Sequence, residues 1–118
     1  MSIAGAQANK FYEEVAANKS LWFAENGEAT ALEFDIRDNK VSFPLWSSKP
    51  RVQRTIKLNP ELLAGFSPRE ISWESFKEIL VPILKDKERL IGVNLSGPRI
   101  TGFDMPVDSL IRQVEAFF

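Results

Sequence analysis

Apolar residues recur at helical spacing in four stretches of the chain. The first helix is predicted to be capped by Ser2 and to end near Asn18-Lys19, with Glu13 and Glu14 on its far, polar side. Its apolar face consists of Ala4, Ala8, Phe11 and Val15. The last helix is predicted to open at Met105-Pro106. It is expected to turn Val107, Leu110, Ile111, Val114 and Phe117 toward the core.

Two further helices are predicted in the middle of the chain. Ser48 and Pro50 suit the cap and the first turn of a helix over residues 50–57. Phe66-Ser67-Pro68 is then expected to break the chain before Ser72 caps a longer helix. The apolar residues of that helix are Trp73, Phe76, Ile79, Leu80, Ile83 and Leu84, all predicted to face the core. Pro82 within this pattern predicts a kink or a new helix start, because proline lacks an amide hydrogen.

Alternation of apolar and polar residues predicts about five strands, because successive side chains of a strand point to opposite faces. Their apolar rows are Leu21 and Phe23; Leu32, Phe34 and Ile36; Val41, Phe43 and Leu45; Ile91, Val93 and Leu95; and residues 100–103. Asn26-Gly27 predicts a hairpin turn with positive φ angles between the first two strands. Pro44 predicts that the third strand lies at an edge or turns that position away from a neighbour.

This order of elements predicts an α+β fold. The expected order is α-β-β-β-α-α-β-β-α, with a mainly antiparallel sheet of about five strands and helices packed against one side of it. The 118 residues are the length of one domain, so residues 1–118 are predicted to form a single domain.

The composition excludes the catalytic and metal sites that depend on cysteine or histidine. The chain has no cysteine and no histidine, so thiolate nucleophiles, zinc–sulfur sites and the commonest general base are absent. It also lacks a glycine-rich phosphate loop, and we predict no catalytic residue, no metal and no cofactor. A net charge of −1 argues against nucleic-acid binding. No signal peptide or membrane-length apolar run is found, which predicts a cytoplasmic protein without a membrane partner.

Carboxylate chemistry is the one catalytic possibility that composition leaves open. Glu70 and Asp104 are the candidates for an acid–base pair, since each stands beside apolar neighbours. The commoner interpretation makes Glu70 a solvated loop or first-turn charge and Asp104 a helix cap.

The strongest local feature is the segment 40–57, which has five basic residues and no acid. Trp46, Ser47 and Ser48 lead into the helix that carries Arg51 and Arg54. Hydroxyls, free first-turn amides and Arg51 could together hold a phosphate or carboxylate, with Trp46 stacked beside it. The structural alternative is that Ser48 caps, Trp46 packs and the arginines pair with acids elsewhere.

A second candidate site is the turn that follows the predicted strand 91–95. Asn94 lies opposite the apolar row, so its amide could face a groove together with Ser96. The alternative is a hairpin in which Asn94 and Ser96 satisfy the turn backbone.

An ordered set of short motifs resembles the bacterial domain-of-unknown-function family numbered 2750. The motifs are Ala8-Asn9-Lys10-Phe11-Tyr12, Phe43-Pro44-Leu45-Trp46-Ser47-Ser48, Phe66-Ser67-Pro68-Arg69-Glu70-Ile71, Gly92-Val93-Asn94-Leu95-Ser96-Gly97 and Gly102-Phe103-Asp104. The resemblance implies a small bacterial cytoplasmic protein and supplies no substrate or catalytic residue.

The sequence thus predicts a non-catalytic binding module. Its partner would be a protein or a small anionic ligand, and a homodimer is possible. The alternatives are a small enzyme that works through carboxylates or through Ser and Arg positioning, and nucleic-acid binding through the basic helix with Trp46 stacking.

Overall fold

The computed structural model describes residues 3–118, and of Ile3 and Ala4 the backbone alone. Its helices are α1 (Ile3–Asn18), α2 (Lys49–Leu58), α3 (Trp73–Ser75), α4 (Val81–Asp86) and α5 (Val107–Glu115). Its strands are β1 (Ser20–Glu25), β2 (Phe34–Asp35), β3 (Val41–Leu45), β4 (Ser67–Ser72), β5 (Leu90–Ser96) and β6 (Thr101–Pro106). A 3₁₀ turn over Arg37–Asn39 precedes β3. The predicted α+β class is confirmed, while the predicted cap Ser2 and the side chain of Ala4 lie outside the described residues.

The strands form two sheets. One has four strands in the order β2-β3-β5-β6, and the other pairs β1 with β4. Every pairing is antiparallel except that of β3 with β5, which is parallel. Trp22 and Trp46 join the two sheets through reciprocal backbone hydrogen bonds of 2.8 Å. The prediction of a mainly antiparallel sheet is therefore confirmed, with one parallel step at its centre.

The buried side chains form two cores. The larger core lies between the central strands and the helices α1, α3 and α5, around residues such as Phe11, Val93 and Leu110. The smaller core consists of Ala24, Leu32, Trp46, Val52 and Leu63, with Val52 supplied by α2. Helix α2 therefore contributes to the smaller core, whereas α1, α3 and α5 contribute to the larger one.

The first hairpin differs from its prediction. The side chain of Asn26 accepts hydrogen bonds from the amides of Glu28 (2.9 Å) and Thr30 (3.0 Å). The positive φ angle of this loop falls on Ala29, not on Asn26 or Gly27. A side-chain-stabilised loop thus replaces the tight turn, and β1 pairs along its length with β4.

The sequence predicted only a break in the chain at Phe66-Ser67-Pro68, and this prediction missed strand β4. It pairs in register with β1, so that Pro68 lies opposite Ala24 and Glu70 opposite Trp22. None of its six residues is fully buried, so it shows no apolar row. Of the two alternatives predicted from Pro44, the edge strand is wrong, because β3 lies between β2 and β5. The other is confirmed: β2 begins at Phe34 opposite Ser42, so Pro44 has no partner in β2.

The helical segment after Ser72 contains a π-helical turn over Phe76–Leu80. The Ser72 hydroxyl accepts a hydrogen bond from the Ser75 amide, which confirms the predicted cap. Helix α4 then begins at Val81 with Pro82 in its first turn, as one of the two alternatives for Pro82 predicted. Trp73, Phe76 and Leu84 are buried, whereas Ile79 and Ile83 are exposed. Phe117 is exposed as well, so these three predicted core positions are wrong.

Candidate functional site

Asn94 lies at an irregularity of β5, where the register with β6 shifts between Val93 and Ser96. Its φ angle is +46°, a conformation that asparagine tolerates better than most residues. The shift frees the carbonyl of Leu95 from the strand ladder. That carbonyl accepts hydrogen bonds from the Trp46 indole (2.8 Å) and the Thr55 hydroxyl (3.2 Å). The bulge thereby holds β3 and α2 against β5.

The side chain of Asn94 is buried and connects β5 to α1 and to the segment between β3 and α2. Its oxygen accepts from the amide of Ser47 (2.9 Å), and its nitrogen donates to the Ser47 hydroxyl (3.1 Å) and to the Gln7 carbonyl of α1 (3.2 Å). The Ser47 hydroxyl in turn donates to a carboxylate oxygen of Glu14. We call these residues, with Arg51, the Asn94 cluster.

Arg51 binds the same carboxylate. Its Nε lies 3.1 Å from Glu14 Oε1, and its terminal nitrogen lies 3.5 Å from Oε2. Burial raises the pKa of Glu14, but hydrogen bonds from Ser47 and Arg51 and the charges of Arg51 and Lys10 outweigh burial and lower it. The groups predicted to hold an external anion therefore hold a carboxylate of α1, and Glu14 is not on the far side of its helix.

The remaining predicted site residues are placed differently. Ser96 accepts a hydrogen bond from the Gln7 side chain (2.5 Å), beside the Asn94 cluster. Ser48 is the residue before α2, but its hydroxyl makes no capping bond. Arg54 is exposed on α2, and its guanidinium has no partner among residues 3–118. The sequence thus identified a connected group, except for Arg54 and Ser48, but missed Glu14 and Gln7.

A cavity of about 410 Å³ opens on the face of the four-stranded sheet that carries Ser42 and Asp104. We call it the sheet-face cavity. Its apolar lining consists of Phe34, Ile36, Leu62, Leu95 and Ile100. Its polar lining consists of Asp35, Ser42, Arg99, Thr101 and Asp104. The cavity thus combines apolar walls with a few charged and hydroxyl groups, as ligand pockets commonly do.

Two glycines explain why this face of the sheet has room for a cavity. A Cβ atom on Gly102 would lie 2.6 Å from Leu95 Cδ2, and one on Gly92 would lie 2.8 Å from Leu95 Cδ1. The side chain of Leu95 therefore rests directly on bare backbone, closer than any side chain at these positions would permit. Glycine within a strand often marks such a close approach, which is the signal that sequence reasoning could have used here.

The two carboxylate candidates do not meet. Asp104 lies in β6 and accepts a hydrogen bond from the Ser42 hydroxyl (2.5 Å), whereas Glu70 lies in β4 and accepts one from Ser20 (3.0 Å). Both residues are exposed, and Glu70 does not line the sheet-face cavity. Asp104 is not a helix cap, because the residue before α5 is Pro106, and Glu70 is in a strand, not a loop.

A family described as "Protein of unknown function (DUF2750)" matches residues 8–114. The chain belongs to this family. The family resemblance of the sequence motifs is thereby confirmed, and the family description assigns no activity. No curated protein matches the chain.

Among solved structures, the fold is similar to Anabaena Tic22, described as protein transport, with a TM-score of 0.46 and 14% sequence identity. The match covers 78% of this chain and 47% of the other, so this chain spans about half the length of that structure. Within residues 3–118, no helix combines the length and the apolar character needed to cross a membrane.

Proposed function

We propose that this member of the family is a non-catalytic module that binds a small, partly apolar ligand in the sheet-face cavity. The observation that carries the proposal is the cavity itself, about 410 Å³ in volume and lined by apolar side chains around a few polar groups. Binding pockets for small molecules are typically about 300–1,000 Å³ with this kind of lining.

The exposure of the cavity carboxylates supports binding over catalysis. Asp35 and Asp104 are both exposed, whereas a carboxyl group is tuned for acid–base work chiefly by burial or by a close like charge. The Ser42 hydroxyl donates a hydrogen bond to Asp104, and the chain has no histidine to serve as the general base that usually activates a serine. The alternative of a small enzyme based on carboxylates or Ser and Arg positioning would need turnover that depends on Asp104 or Ser42.

Binding of an external anion at Ser47 and Arg51 stays a prediction. An incoming phosphate or carboxylate would have to displace Glu14, whose carboxylate already accepts a hydrogen bond from the Ser47 hydroxyl and pairs with the guanidinium of Arg51. Displacement would also leave a partly buried acid without its partners, which is unfavourable. The cavity offers open volume instead, and for that reason we favour it. A protein partner, a homodimer, a bacterial source and a cytoplasmic location likewise stay predictions.

A binding experiment with simple probes tests the proposal. Hexanol, hexylamine and hexanoate share one apolar chain and differ in the head group. We expect at least one of them to give saturable changes in amide NMR spectra at Leu95, Thr101 and Gly102. Absence of saturable changes at these amides for all three probes would overturn the proposal.

A matched pair of variants locates the binding. Leu62 is 63% exposed and lines the cavity, whereas Leu58 is 46% exposed and does not. We expect Leu62→Asp to weaken probe binding by about tenfold, since it places a charge where apolar contact is needed. Leu58→Asp adds the same charge and should leave the affinity unchanged. Equal loss in both variants would contradict binding in this cavity.

A further inference from the structure

We infer that the ligand of the sheet-face cavity carries a primary ammonium group, which Asp104 binds at the wall formed by β6 and β3. This inference rests on the proposed function and names the chemistry of its ligand. It follows from the hydrogen bonds and charges of the polar groups that line the cavity.

Asp104 has one oxygen engaged and one open. Its Oδ1 accepts a hydrogen bond from the hydroxyl of Ser42, which is 1% exposed and fixes the carboxylate against the sheet. Its Oδ2 has no hydrogen-bond partner within residues 3–118. A carboxylate held in one orientation with a free oxygen is a suitable acceptor for an ammonium group, and charge-assisted hydrogen bonds of this kind are about twice as strong as neutral ones.

Asp35 adds a second negative charge. Its side chain lines the same cavity and makes no hydrogen bond or ion pair among the described residues. The only opposing charge of the lining is Arg99, so the lining carries two carboxylates against one guanidinium. The lining therefore favours a positively charged ligand over a negatively charged one.

A ligand that fills the apolar part of the cavity has a stronger need for a positive group beside Asp104. A ligand that packs on Leu95 and Phe34 also covers Asp104, because all three line one cavity. Covering a carboxylate without offering it a donor costs free energy, whereas an ammonium group replaces the lost water and opposes the charge. A neutral chain of the same length is thus expected to bind more weakly.

Arg99 is the residue at which a cationic ligand and an anionic ligand would behave differently. It is exposed and has no partner within residues 3–118, so its long side chain can stay in water when a cation binds. If instead the ligand were an anion, Arg99 would be its anchor. Hexanoate and an Arg99→Gln variant therefore measure the competing possibility directly.

The test compares the same probes in the wild type and in charge-matched variants. At neutral pH and low salt we expect hexylamine, which is protonated, to bind about tenfold more tightly than hexanol and more tightly still than hexanoate. Asp104→Asn keeps the shape and the bond from Ser42, and should weaken hexylamine by about tenfold while leaving hexanol unchanged. Asp35→Asn is a second variant with the same expected direction and a smaller loss.

Asp38→Asn is the matched control. Asp38 is exposed and lies outside this cavity, and its positive φ angle is one that asparagine tolerates. The variant removes one negative charge, as Asp104→Asn does. It should leave every affinity unchanged. Equal binding of hexylamine and hexanol, or tightest binding of hexanoate with loss in Arg99→Gln, would overturn the inference while leaving the proposed function intact. Failure of all three probes would overturn the proposed function and this inference with it.

Discussion

Asn94 combines two requirements that few residues meet together. It holds a φ angle of +46° inside a strand, and its buried side chain bridges Ser47 and the backbone of Gln7. Replacement by alanine removes these bonds and leaves the amide of Ser47 buried without an acceptor. Replacement by glycine removes the same bonds but relieves the backbone.

We expect Asn94→Ala to lower the free energy of unfolding by about 3 kcal/mol, from the lost bonds and the backbone strain together. Asn94→Gly should be about 1 kcal/mol less harmful than Asn94→Ala. Urea unfolding of both variants measures the difference. Equal losses would show that the positive φ angle contributes nothing.

Glu14 makes the stability of the protein depend on pH. Its pKa is lowered below the ordinary value of 4.5, so in acid the unfolded chain binds more protons than the folded chain. The stability it contributes is complete above that ordinary value and is lost as the pH falls through the lower folded pKa. Hydrogen bonds from Lys77 and Trp73 lower the pKa of Glu115 in the same sense.

We expect Glu14→Gln to cost about 1 kcal/mol at neutral pH, a modest value because the ion pair is partly solvated. The variant should also lose less stability than the wild type when the pH is lowered below about 4.5. Urea unfolding over an acidic pH series measures this slope. Glu28→Gln, at an exposed acid of the first loop, is the control and should follow the wild type.

Among the elements, the π-helical turn interrupts the apolar spacing that predicted one continuous helix. The amide of Val81 bonds to the carbonyl of Phe76, five residues earlier, and Pro82 has no amide to continue an α-helical ladder. One extra residue in a turn rotates the following positions by about 100°. Beyond this turn Leu84 is buried, whereas Ile79 within the turn and Ile83 after it are exposed.

We expect Ile79→Lys and Ile83→Lys each to change the free energy of unfolding by less than about 0.5 kcal/mol, as exposed substitutions usually do. Leu84→Ala should cost about 3 kcal/mol, since Leu84 is buried in the larger core. Thermal or urea unfolding distinguishes them. A loss of unfolding free energy at Ile83 as large as that at Leu84 would show that Ile83 faces the core, as the regular α-helical spacing predicted.

The elements that sequence could predict are those fixed by local signals. The end of α1 near Asn18, the start of α2 near Pro50 and the strand β5 follow from apolar spacing and from proline, and the structure contains them. Strand β4 has no such signal, because only its pairing with β1 makes it a strand. The candidate site divides in the same way. Residue type identified Ser47 and Asn94, whereas their partner Glu14 comes from a helix 33 positions earlier than Ser47.

At the scale of the whole molecule, β1 joins the two cores, because Leu21 belongs to the larger core and Ala24 to the smaller one. The Trp22–Trp46 bridge connects the sheets, and the Asn94 cluster connects α1 and α2 to the strand ends. If these connections suffice, the chain unfolds as the single domain that its length predicts.

Native-state hydrogen exchange measures this cooperativity. We expect the amides of Val93 in the larger core and Val52 in the smaller core to exchange with the same free energy of opening and the same dependence on urea. Val52 exchanging at a distinctly lower free energy would mean that the smaller core opens alone.

The contact of Leu95 with Gly102 couples the size of the cavity to the integrity of the sheet. Leu95→Ala should cost about 3 kcal/mol and enlarge the cavity. Gly102→Ala alone should also destabilise, because its Cβ would lie 2.6 Å from Leu95 Cδ2. In a Leu95→Ala background the added methyl group no longer meets Leu95 Cδ2, although the Val93 carbonyl oxygen still lies 3.1 Å from it, and we expect a favourable coupling of about 1 kcal/mol in urea unfolding. Additive losses would contradict the contact.

The side chains at positions 95 and 102 therefore determine together how deep the sheet-face cavity is. A carbon removed at position 95 and added at position 102 moves side-chain volume from one strand to its neighbour, with a small shift of the Val93 carbonyl, so related chains that make this exchange would accept ligands of different length.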